Sequence, residues 1–445
     1  MRWSAPGFGV PFAVREGRLY VDGVYGDLHC LRADNGKSLW QRPSDEKNRN
    51  VRGDRPSGEV VFAPDGTILA RSAGDLVAID AAGGEIRWRV ERPCDVNAHP
   101  RVAYATGLVI DNGLDRESRV AGTYADFAHR PHGDAAWRHV LAPAAAARTR
   151  PTNGVRDPVR IERRFGSVAE DWNDTSPTTP ERHESRGNPV ASAGLVFTTE
   201  IVRRGAVYLE AFVVALDTDT GEPRWRCPIP PAVHPSTPVV VDGTVYLTGD
   251  NFRVHALDSA TGRVRWSALP ELAPTLRLPA AEDGIPYDVN HTDASPVVSG
   301  GILYLASHDG MLRAYRTNDG TPLWSLRTGA SDEPTSAVGT RAHPLPVVDG
   351  GIVYVYAEED LVALESQDGR VRWRASTGWA SVYPAPVLAG GLVHAPTDNG
   401  VMSLDPVDGR RVRHLDVGGR ARGLIAGPET LYIGGPDGIH AADLP

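Results

Sequence analysis

Short runs of alternating apolar and polar residues recur along the chain, and each is followed by a turn and a second short run. Residues 254–257 alternate in the period-two manner of a half-buried strand, residues 258–262 supply turn chemistry, and Val264 and Trp266 belong to a second β-favouring run. This pattern predicts a β-hairpin. Because the hairpin returns many times, we expect one supersecondary unit per repeat.

The repeats share a frame in which Gly follows the first position by four residues and Trp follows it by eight. The frame occurs at Arg32, Gly36, Trp40; Asp80, Gly84, Trp88; Asp217, Gly221, Trp225; Asp258, Gly262, Trp266; Arg316, Gly320, Trp324; and Glu365, Gly369, Trp373. A weaker copy at Asp405 and Gly409 has Arg413 in place of Trp. Steps of 41, 58, 49 and 40 residues between successive glycines from Gly221 to Gly409 are typical of four-stranded propeller blades. We therefore predict an all-β fold, with residues 1–445 forming a single β-propeller.

The number of blades follows from the inner strands, nine of which can be proposed from Pro11 to Leu424. Eight blades is our preferred count, because the repeat around Val102 has lost the Asp and Gly of the frame; nine is the alternative. Trp3 resembles the end of a repeat, and residues 431–443 resemble a repeat without its last strand. The N-terminal strand is thus predicted to close the ring.

Composition narrows the class of protein. A net charge of −9 and a pI near 5.9 argue against nucleic acid as a partner. No apolar run is long enough to cross a bilayer, and no secretory signal begins the chain, so we expect a soluble cytoplasmic protein. Cys30, Cys94 and Cys227 are widely spaced, which favours buried thiols over disulfides or a thiolate zinc site.

Repeats such as VYLTGDNFRVHALDSATGRVRW resemble those of the PQQ-like, or quinoprotein-type, β-propeller superfamily. The resemblance implies the fold over most of the chain. It does not fix the function, since this superfamily includes quinone-dependent dehydrogenases, an outer-membrane assembly lipoprotein and kinase-attached sensor domains. Its dehydrogenases hold PQQ between a Trp and a disulfide of adjacent cysteines, with a calcium nearby. No two cysteines are adjacent here, which argues against PQQ as the cofactor.

Two long interruptions of the repeat fall in connections from an outermost to an innermost strand. Residues 140–188 are predicted to form a lid over one mouth of the central channel, and residues 268–293 a second loop at the same mouth. Four histidines precede inner strands on this side, and we predict that they bind a divalent metal ion of unknown identity: His99, His234, His291 and His343. The alternative is that they are scattered loop residues, since three of them precede Pro and no local metal motif supports them.

Further candidates lie in these connections or, for His308, in a turn from a second to a third strand that opens on the same side. The candidate catalytic groups are His183, His308 and Asp293. The candidate substrate-binding residues are Trp172, Trp379, Tyr287, Tyr383 and Arg422, with loop packing or solvation as the alternative. His29, His255 and His440 share one third-strand position and are predicted to be structural.

We therefore expect a small-molecule enzyme in which a metal at the channel mouth supports lyase, isomerase or cyclase chemistry. One alternative is a non-catalytic propeller that binds a ligand or a protein partner. Another is a PQQ-dependent oxidoreductase.

Overall fold

The structure is a computed structural model in which every described element is a β-strand. It describes residues 1–7, 9–23, 27–42, 61–63, 65–72, 75–90, 102–105, 108–114, 124–130, 135–140, 181–185, 189–204, 207–229, 236–248, 253–269, 295–307, 310–328, 345–378 and 385–445. Within these ranges there is no helix long and apolar enough to cross a membrane.

The strands group into nine antiparallel sheets, numbered in chain order by their innermost strand. Sheets 1–3 contain β2 (Gly9–Arg15), β3 (Arg18–Gly23), β4 (Leu28–Arg32), β5 (Ser38–Arg42); β6 (Val61–Phe62), β7 (Thr67–Ser72), β8 (Asp75–Asp80), β9 (Ile86–Val90); and β10 (Val102–Ala105), β11 (Leu108–Leu114), β12 (Tyr124–His129), β13 (Ala135–Val140). Sheets 4–6 contain β14 (Glu181–Ser185), β15 (Val190–Ser192), β16 (Leu195–Arg204), β17 (Val207–Asp217), β18 (Pro223–Ile229); β19 (Val239–Val241), β20 (Thr244–Thr248), β21 (Val254–Asp258), β22 (Val264–Ala268); and β23 (Val297–Ser299), β24 (Ile302–Ser307), β25 (Met311–Arg316), β26 (Pro322–Arg327). Sheets 7–9 contain β27 (Val347–Asp349), β28 (Ile352–Ala357), β29 (Asp360–Glu365), β30 (Val371–Ser376); β31 (Val387–Ala389), β32 (Leu392–Thr397), β33 (Gly400–Leu404), β34 (Arg411–Asp416); and β35 (Gly423–Ala426), β36 (Thr430–Gly434), β37 (Gly438–Asp443) with β1 (Trp3–Pro6).

The fold is the predicted β-propeller, and the described residues form nine sheets, the alternative that the sequence left open beside the preferred eight. The repeat around Val102 forms a complete four-stranded sheet although it lacks the Asp and Gly of the frame. Apolar clusters between consecutive sheets form the core. The cluster of sheets 6 and 7, for example, contains the fully buried Leu312, Val353 and Val362.

The predicted closure of the ring is confirmed. Strand β1 pairs antiparallel with β37, placing Trp3 opposite Ala441 and Pro6 opposite Gly438. Sheet 9 therefore takes its outermost strand from the other end of the chain, which leaves no unpaired β37 edge at the seam.

The Gly and Trp of the frame meet between sheets. The Trp of one sheet packs on the frame Gly of the next, so closely that a Cβ on Gly369 would lie 2.6 Å from Trp324 Cδ2. The indole Nε1 also donates to a carbonyl in the receiving turn, as from Trp324 to Ser366 O at 2.9 Å. Seven such Trp–Gly contacts are described: Trp3–Gly36, Trp40–Gly84, Trp137–Gly221, Trp225–Gly262, Trp266–Gly320, Trp324–Gly369 and Trp373–Gly409. The frame is thus a joint between neighbouring sheets, which we call the Trp–Gly joint.

The first position of the frame forms an ion pair with the residue before Trp. Four pairs with N–O distances of 2.6–2.7 Å repeat this arrangement: Arg87–Asp80, Arg224–Asp217, Arg265–Asp258 and Arg372–Glu365. Where the first position is Arg32, the residue before Trp is Leu39, so both members change together. Arg2 and Asp443 form the same pair across the seam.

Arg413, the departure from the frame, lies at that seam. Sheet 9 has no turn between its third and fourth strands, because β1 comes from the N-terminal side. A Trp at position 413 would find no frame Gly to receive it, and Arg413 instead donates from Nη2 to Asp443 O at 2.8 Å.

Cys30 and Cys227 are buried free thiols in different sheets, as predicted. Cys94 lies outside the described residues.

Candidate functional site

The propeller has two unlike faces. Turns between first and second strands lie beside turns between third and fourth strands, since Ser259 N donates to Gly243 O at 3.0 Å and Thr317 N to Gly301 O at 3.0 Å. We call this side the turn face. In each frame from Asp80 to Asp405, the backbone N of the frame Gly donates a hydrogen bond to the carbonyl O of the first position. One example is Gly369 N to Glu365 O at 2.9 Å.

The opposite side, the loop face, carries the connections between sheets and the turns from second to third strands. Its described part in sheets 7–9 is rich in carboxylates: Glu358, Glu359, Asp360, Asp398, Asp416 and Asp437. Arg420 is bonded to Asp398 at 3.1 Å, and Arg422 is exposed. This charge distribution favours basic over acidic partner surfaces.

A second acidic group lies at the loop-face end of sheet 1. Burial, with the charge of Asp27 adding to it, raises the pKa of Asp22 to about 7. His29 Nε2 lies 3.9 Å from Asp27 Oδ2. Burial lowers the pKa of His29 despite that carboxylate, so the imidazole is neutral at pH 7.

Sheet 4 projects from the loop face. Strands β16 and β17 have 10 and 11 residues, whereas the equivalent β20 and β21 have 5 each. The extra residues extend the hairpin by about 16 Å, at about 3.3 Å for each residue. β14 pairs with the outer half of β16, from Glu181 opposite Arg204 to Ser185 opposite Glu200, and makes the projection three-stranded.

Polar and aromatic contacts hold the base of this projection. Glu200 is 5% exposed, and its Oε2 accepts a hydrogen bond from Arg226 Nε at 2.8 Å. The Arg226 guanidinium carbon lies 3.2 Å from the centre of the Phe212 ring. A stacked and ion-paired Arg between β16, β17 and β18 fixes the direction of the hairpin.

Most of the predicted site lies outside the described residues: His99, His234, His291, His343, His308, Asp293, Trp172, Trp379, Tyr287 and Tyr383. Of the predicted lid, residues 141–180 and 186–188 also lie outside, while residues 181–185 form β14. Of the second loop, residues 270–293 lie outside. The lid and the second loop stay predictions.

Two predicted site residues can be placed. His183 lies in β14, where its backbone pairs with Val202. Arg422 is exposed between β34 and β35, and its backbone N donates to Gly434 O at 2.7 Å. These two residues belong to different parts of the ring, His183 to sheet 4 and Arg422 to the connection between sheets 8 and 9.

Strand pairing tests the prediction that the third-strand histidines occupy equivalent positions. His29, His255 and His440 each stand one residue before the partner of a frame Trp, so they are equivalent. Among the described residues there is no group of three or more His, Cys, Asp or Glu that could hold a metal ion.

Comparison with known proteins identifies the family to which this chain is similar. The sequence profile described as outer membrane protein assembly factor BamB, a PQQ-like repeat family, matches residues 1–208, 130–415 and 334–436. The chain belongs to this family. The superfamily predicted from the repeats is thereby confirmed.

The curated relatives of this BamB-like chain have three kinds of name. Yersinia pestis outer membrane protein assembly factor BamB is 26% identical over 193 residues, 41% of this chain and 44% of that protein. Streptomyces coelicolor serine/threonine-protein kinase AfsK is 32% identical over 159 residues, 32% of this chain and 19% of the kinase. Pseudomonas putida quinohemoprotein alcohol dehydrogenase ADH IIB is 28% identical over 144 residues, 32% of this chain and 20% of the enzyme. The matched segment thus spans less than half of each relative.

Solved structures agree on the fold. BamB from Moraxella catarrhalis has a TM-score of 0.52 at 17% identity, covering 86% of this chain and 95% of that one. A europium-containing methanol dehydrogenase has a TM-score of 0.53 at 15% identity, covering 97% and 83%.

These comparisons correct the predicted activity. The relatives are assembly factors, protein kinases and quinone-type alcohol dehydrogenases, and none supports lyase, isomerase or cyclase chemistry at a metal centre. That prediction was wrong, because it inferred a reaction class from the type and spacing of loop histidines, and the relatives named here have other activities. A bound divalent metal ion, the argument against PQQ and the cytoplasmic location stay untested predictions.

Proposed function

We propose that the protein is a non-catalytic scaffold that binds another polypeptide through the loop face of its propeller. The observation that carries the proposal is the three-stranded projection of sheet 4 from this face. Membership of a family described by an assembly factor supports it, since an assembly factor acts by binding other proteins.

The turn face serves the packing of neighbouring sheets, and the loop face is the better candidate for binding a partner. Turns that repeat one hydrogen-bond pattern serve the joints between sheets, so they are poorly suited to distinguish partners. The loop face departs from the repeat, and departures on a rigid scaffold are where binding elements are found. The hairpin adds main-chain edges and exposed side chains such as Glu210 there.

Site-specific photo-crosslinking in the native cell tests this proposal. A photoreactive amino acid at Glu210 should give a discrete cross-linked product with one polypeptide, identified by mass spectrometry. The matched control is the same amino acid at Val407, which is 75% exposed on the turn face and should give no such product.

A hairpin variant supplies the second control. Replacing residues 203–209 with a two-residue turn joins Val202 to its partner Glu210 and keeps the photoreactive position. This truncation should abolish the product while the thermal midpoint stays within a few degrees. Equal products from Glu210 and Val407, or none from Glu210, would remove the proposal.

A further inference from the structure

Six sheets share a triple of side chains that faces the next sheet: an aromatic residue on the second strand, a small residue on the third and Trp on the fourth. The triples are Tyr20–Cys30–Trp40, Phe197–Ala215–Trp225, Tyr246–Ala256–Trp266, Tyr304–Ala314–Trp324, Tyr354–Ala363–Trp373 and Tyr432–Ala441–Trp3. Sheet 8 has His394, Ser403 and Arg413 in the same register. Its contact with sheet 9 is therefore polar where the others are aromatic.

The hydrogen bonds of His394 suit a neutral imidazole. The side chain is fully buried, with Nε2 3.1 Å from Ala389 O and Nδ1 2.9 Å from Ser403 Oγ. A carbonyl only accepts, so Nε2 carries the hydrogen and Nδ1 accepts from the hydroxyl. Burial lowers the pKa of His394; the bond to Ala389 opposes this, and Arg413 adds to it.

A second histidine faces the same interface from sheet 9. His440 lies opposite Ile433, which packs against Val401 and Leu415 of sheet 8. Its Nδ1 lies 3.0 Å from Ser4 Oγ of the closing strand β1. Its Nε2 is buried with no partner among the described residues, so a proton there would have no acceptor.

The charged groups around the two imidazoles do not balance added positive charge. Arg413 faces them from sheet 8, and the carboxylate near His440 is Asp437, in the turn before β37. At the end of β1, Arg2 is paired with Asp443 and lies 3.8 Å from the solvent-exposed Glu429. Protonating both histidines would thus place three cations against Asp437.

We propose that the interface between sheets 8 and 9, beside the seam of β1 and β37, is acid-sensitive: protonation of His394 and His440 loosens it and frees strand β1 before sheets 6 and 7 open. The inference is independent of the proposed function. It concerns a local opening, in which sheets 8 and 9 separate while the aromatic interface between sheets 6 and 7 stays closed.

Hydrogen exchange of the full chain at pH 7.5 and pH 5.5, corrected for intrinsic rates, tests whether acid opens the interface between sheets 8 and 9. Acid should accelerate exchange in peptides from β1 and β35–β37 by up to about tenfold for each histidine, because an ordinary imidazole with pKa about 6.5 gains about that factor of protonation in this range. Peptides from β23–β30, which contain the Tyr304–Trp324 interface, should not accelerate.

The decisive variant is His394→Gln combined with His440→Asn, which keeps amide hydrogen bonds and removes both titrations. Its seam peptides should exchange equally at the two pH values, whereas the exposed His414→Gln of sheet 8 should behave as wild type. Uniform acceleration over all sheets, or selective acceleration that persists in the double variant, overturns the proposal. If the double variant does not fold, His440→Asn alone must reduce the acceleration, and an unchanged value likewise overturns it.

Discussion

At the scale of single residues, the frame glycines have two constraints that a turn alone would not impose. Gly369 has φ +69° and also lies under Trp324, so a methyl group there strains the backbone and displaces the indole. We expect Gly369→Ala to lower the free energy of unfolding by about 2–5 kcal/mol. Urea unfolding at pH 7.5 measures it.

Gly350 is the matched control, because it has φ +55° and nothing within 4 Å of an added Cβ. Gly350→Ala should lower the free energy by about 1–2 kcal/mol, the backbone contribution alone. Equal losses for both variants would show that the contact with Trp324 contributes nothing.

Asp22 gives a prediction with a defined pH dependence. Its folded-state pKa of about 7 is above the ordinary 3.8, so the folded chain holds the proton more tightly than the unfolded chain. This contribution is complete below about pH 4 and is lost as the pH rises through about 7. Asp22→Asn should therefore raise stability at pH 8, on the order of 3 kcal/mol, and change it little at pH 3.5.

Urea unfolding of Asp22→Asn at both pH values checks the sign. Asp27→Asn is the comparison, since it removes only the second of the two causes and should give a smaller gain at pH 8. A loss of stability at pH 8 would mean that the Asp22 carboxylate is stabilised, contrary to its burial.

Residue patterns predicted the frame and the turn that its Gly forms, but not the contact of that Gly with a Trp of the neighbouring sheet. Turn chemistry explains Gly at the fourth position after Asp, whereas the use of the same Gly as a seat for Trp depends on the neighbouring sheet. The joint change of Arg32 with Leu39 was visible in the sequence and signals the ion pair it replaces. The loss of Trp at position 413 could not be explained without the seam.

At the scale of elements, strand β1 combines several contacts of one repeat in a short terminal segment. It supplies four residue pairs with β37, the Trp3–Gly36 joint, and the Trp3 Nε1 bond to Ala33 O at 3.2 Å. Deleting residues 1–6 should lower the thermal midpoint by about 5 °C or more, because it removes a packed Trp and exposes the β37 edge.

Ser4→Ala serves as the control for the deletion, because it keeps the strand and the indole and removes one hydroxyl. Its midpoint should stay within about 2 °C of wild type. An unchanged midpoint after the deletion would mean that β1 does not hold the ring closed.

The sequence located the nine inner strands because valine runs and glycine turns are local signals. The length of the sheet 4 hairpin was missed, since no local pattern in residues 181–185 shows that they form a strand beside the outer half of β16, next to the inner strand β15. The predicted site depended on convergence of side chains from separate loops, which spacing cannot reveal.

At the scale of the whole molecule, the ring repeats one joint between sheets and interrupts it where the chain ends meet. Side chains keep the register of the frame across this interruption: Asp443 is in the first position, Arg2 precedes Trp3, and Arg2 Nη1 donates to Thr430 Oγ1 at 2.7 Å. In sheet 5 the equivalent Arg265 donates to Thr244 Oγ1 at 2.7 Å. The side chains at the seam are therefore placed as in a standard turn of the frame, although part of the turn backbone is missing between β37 and β1.

Backbone cyclisation with a linker of defined length tests this register. Seven residues separate the first position from Trp in the frame, whereas Leu444, Pro445, Met1 and Arg2 supply four, so three residues are needed. A cyclic protein joined by Asp-Gly-Arg, the sequence of residues 368–370, places Gly at the frame position. We expect it to be more stable than the linear chain by about 3–6 kcal/mol, since closure removes unfolded-state entropy.

A linker of Asp-Ala-Arg isolates the geometry of the turn from the entropy of closure. Both cyclic proteins have the same loop length, so the alanine version should be less stable by about 1–2 kcal/mol, the cost of a positive φ without glycine. If the two cyclic proteins unfold at the same urea concentration, the linker has not formed the frame turn, and the register of Asp443 and Trp3 differs from that of the other sheets. A difference of the expected size would show that the interrupted ninth frame follows the same rules as the others.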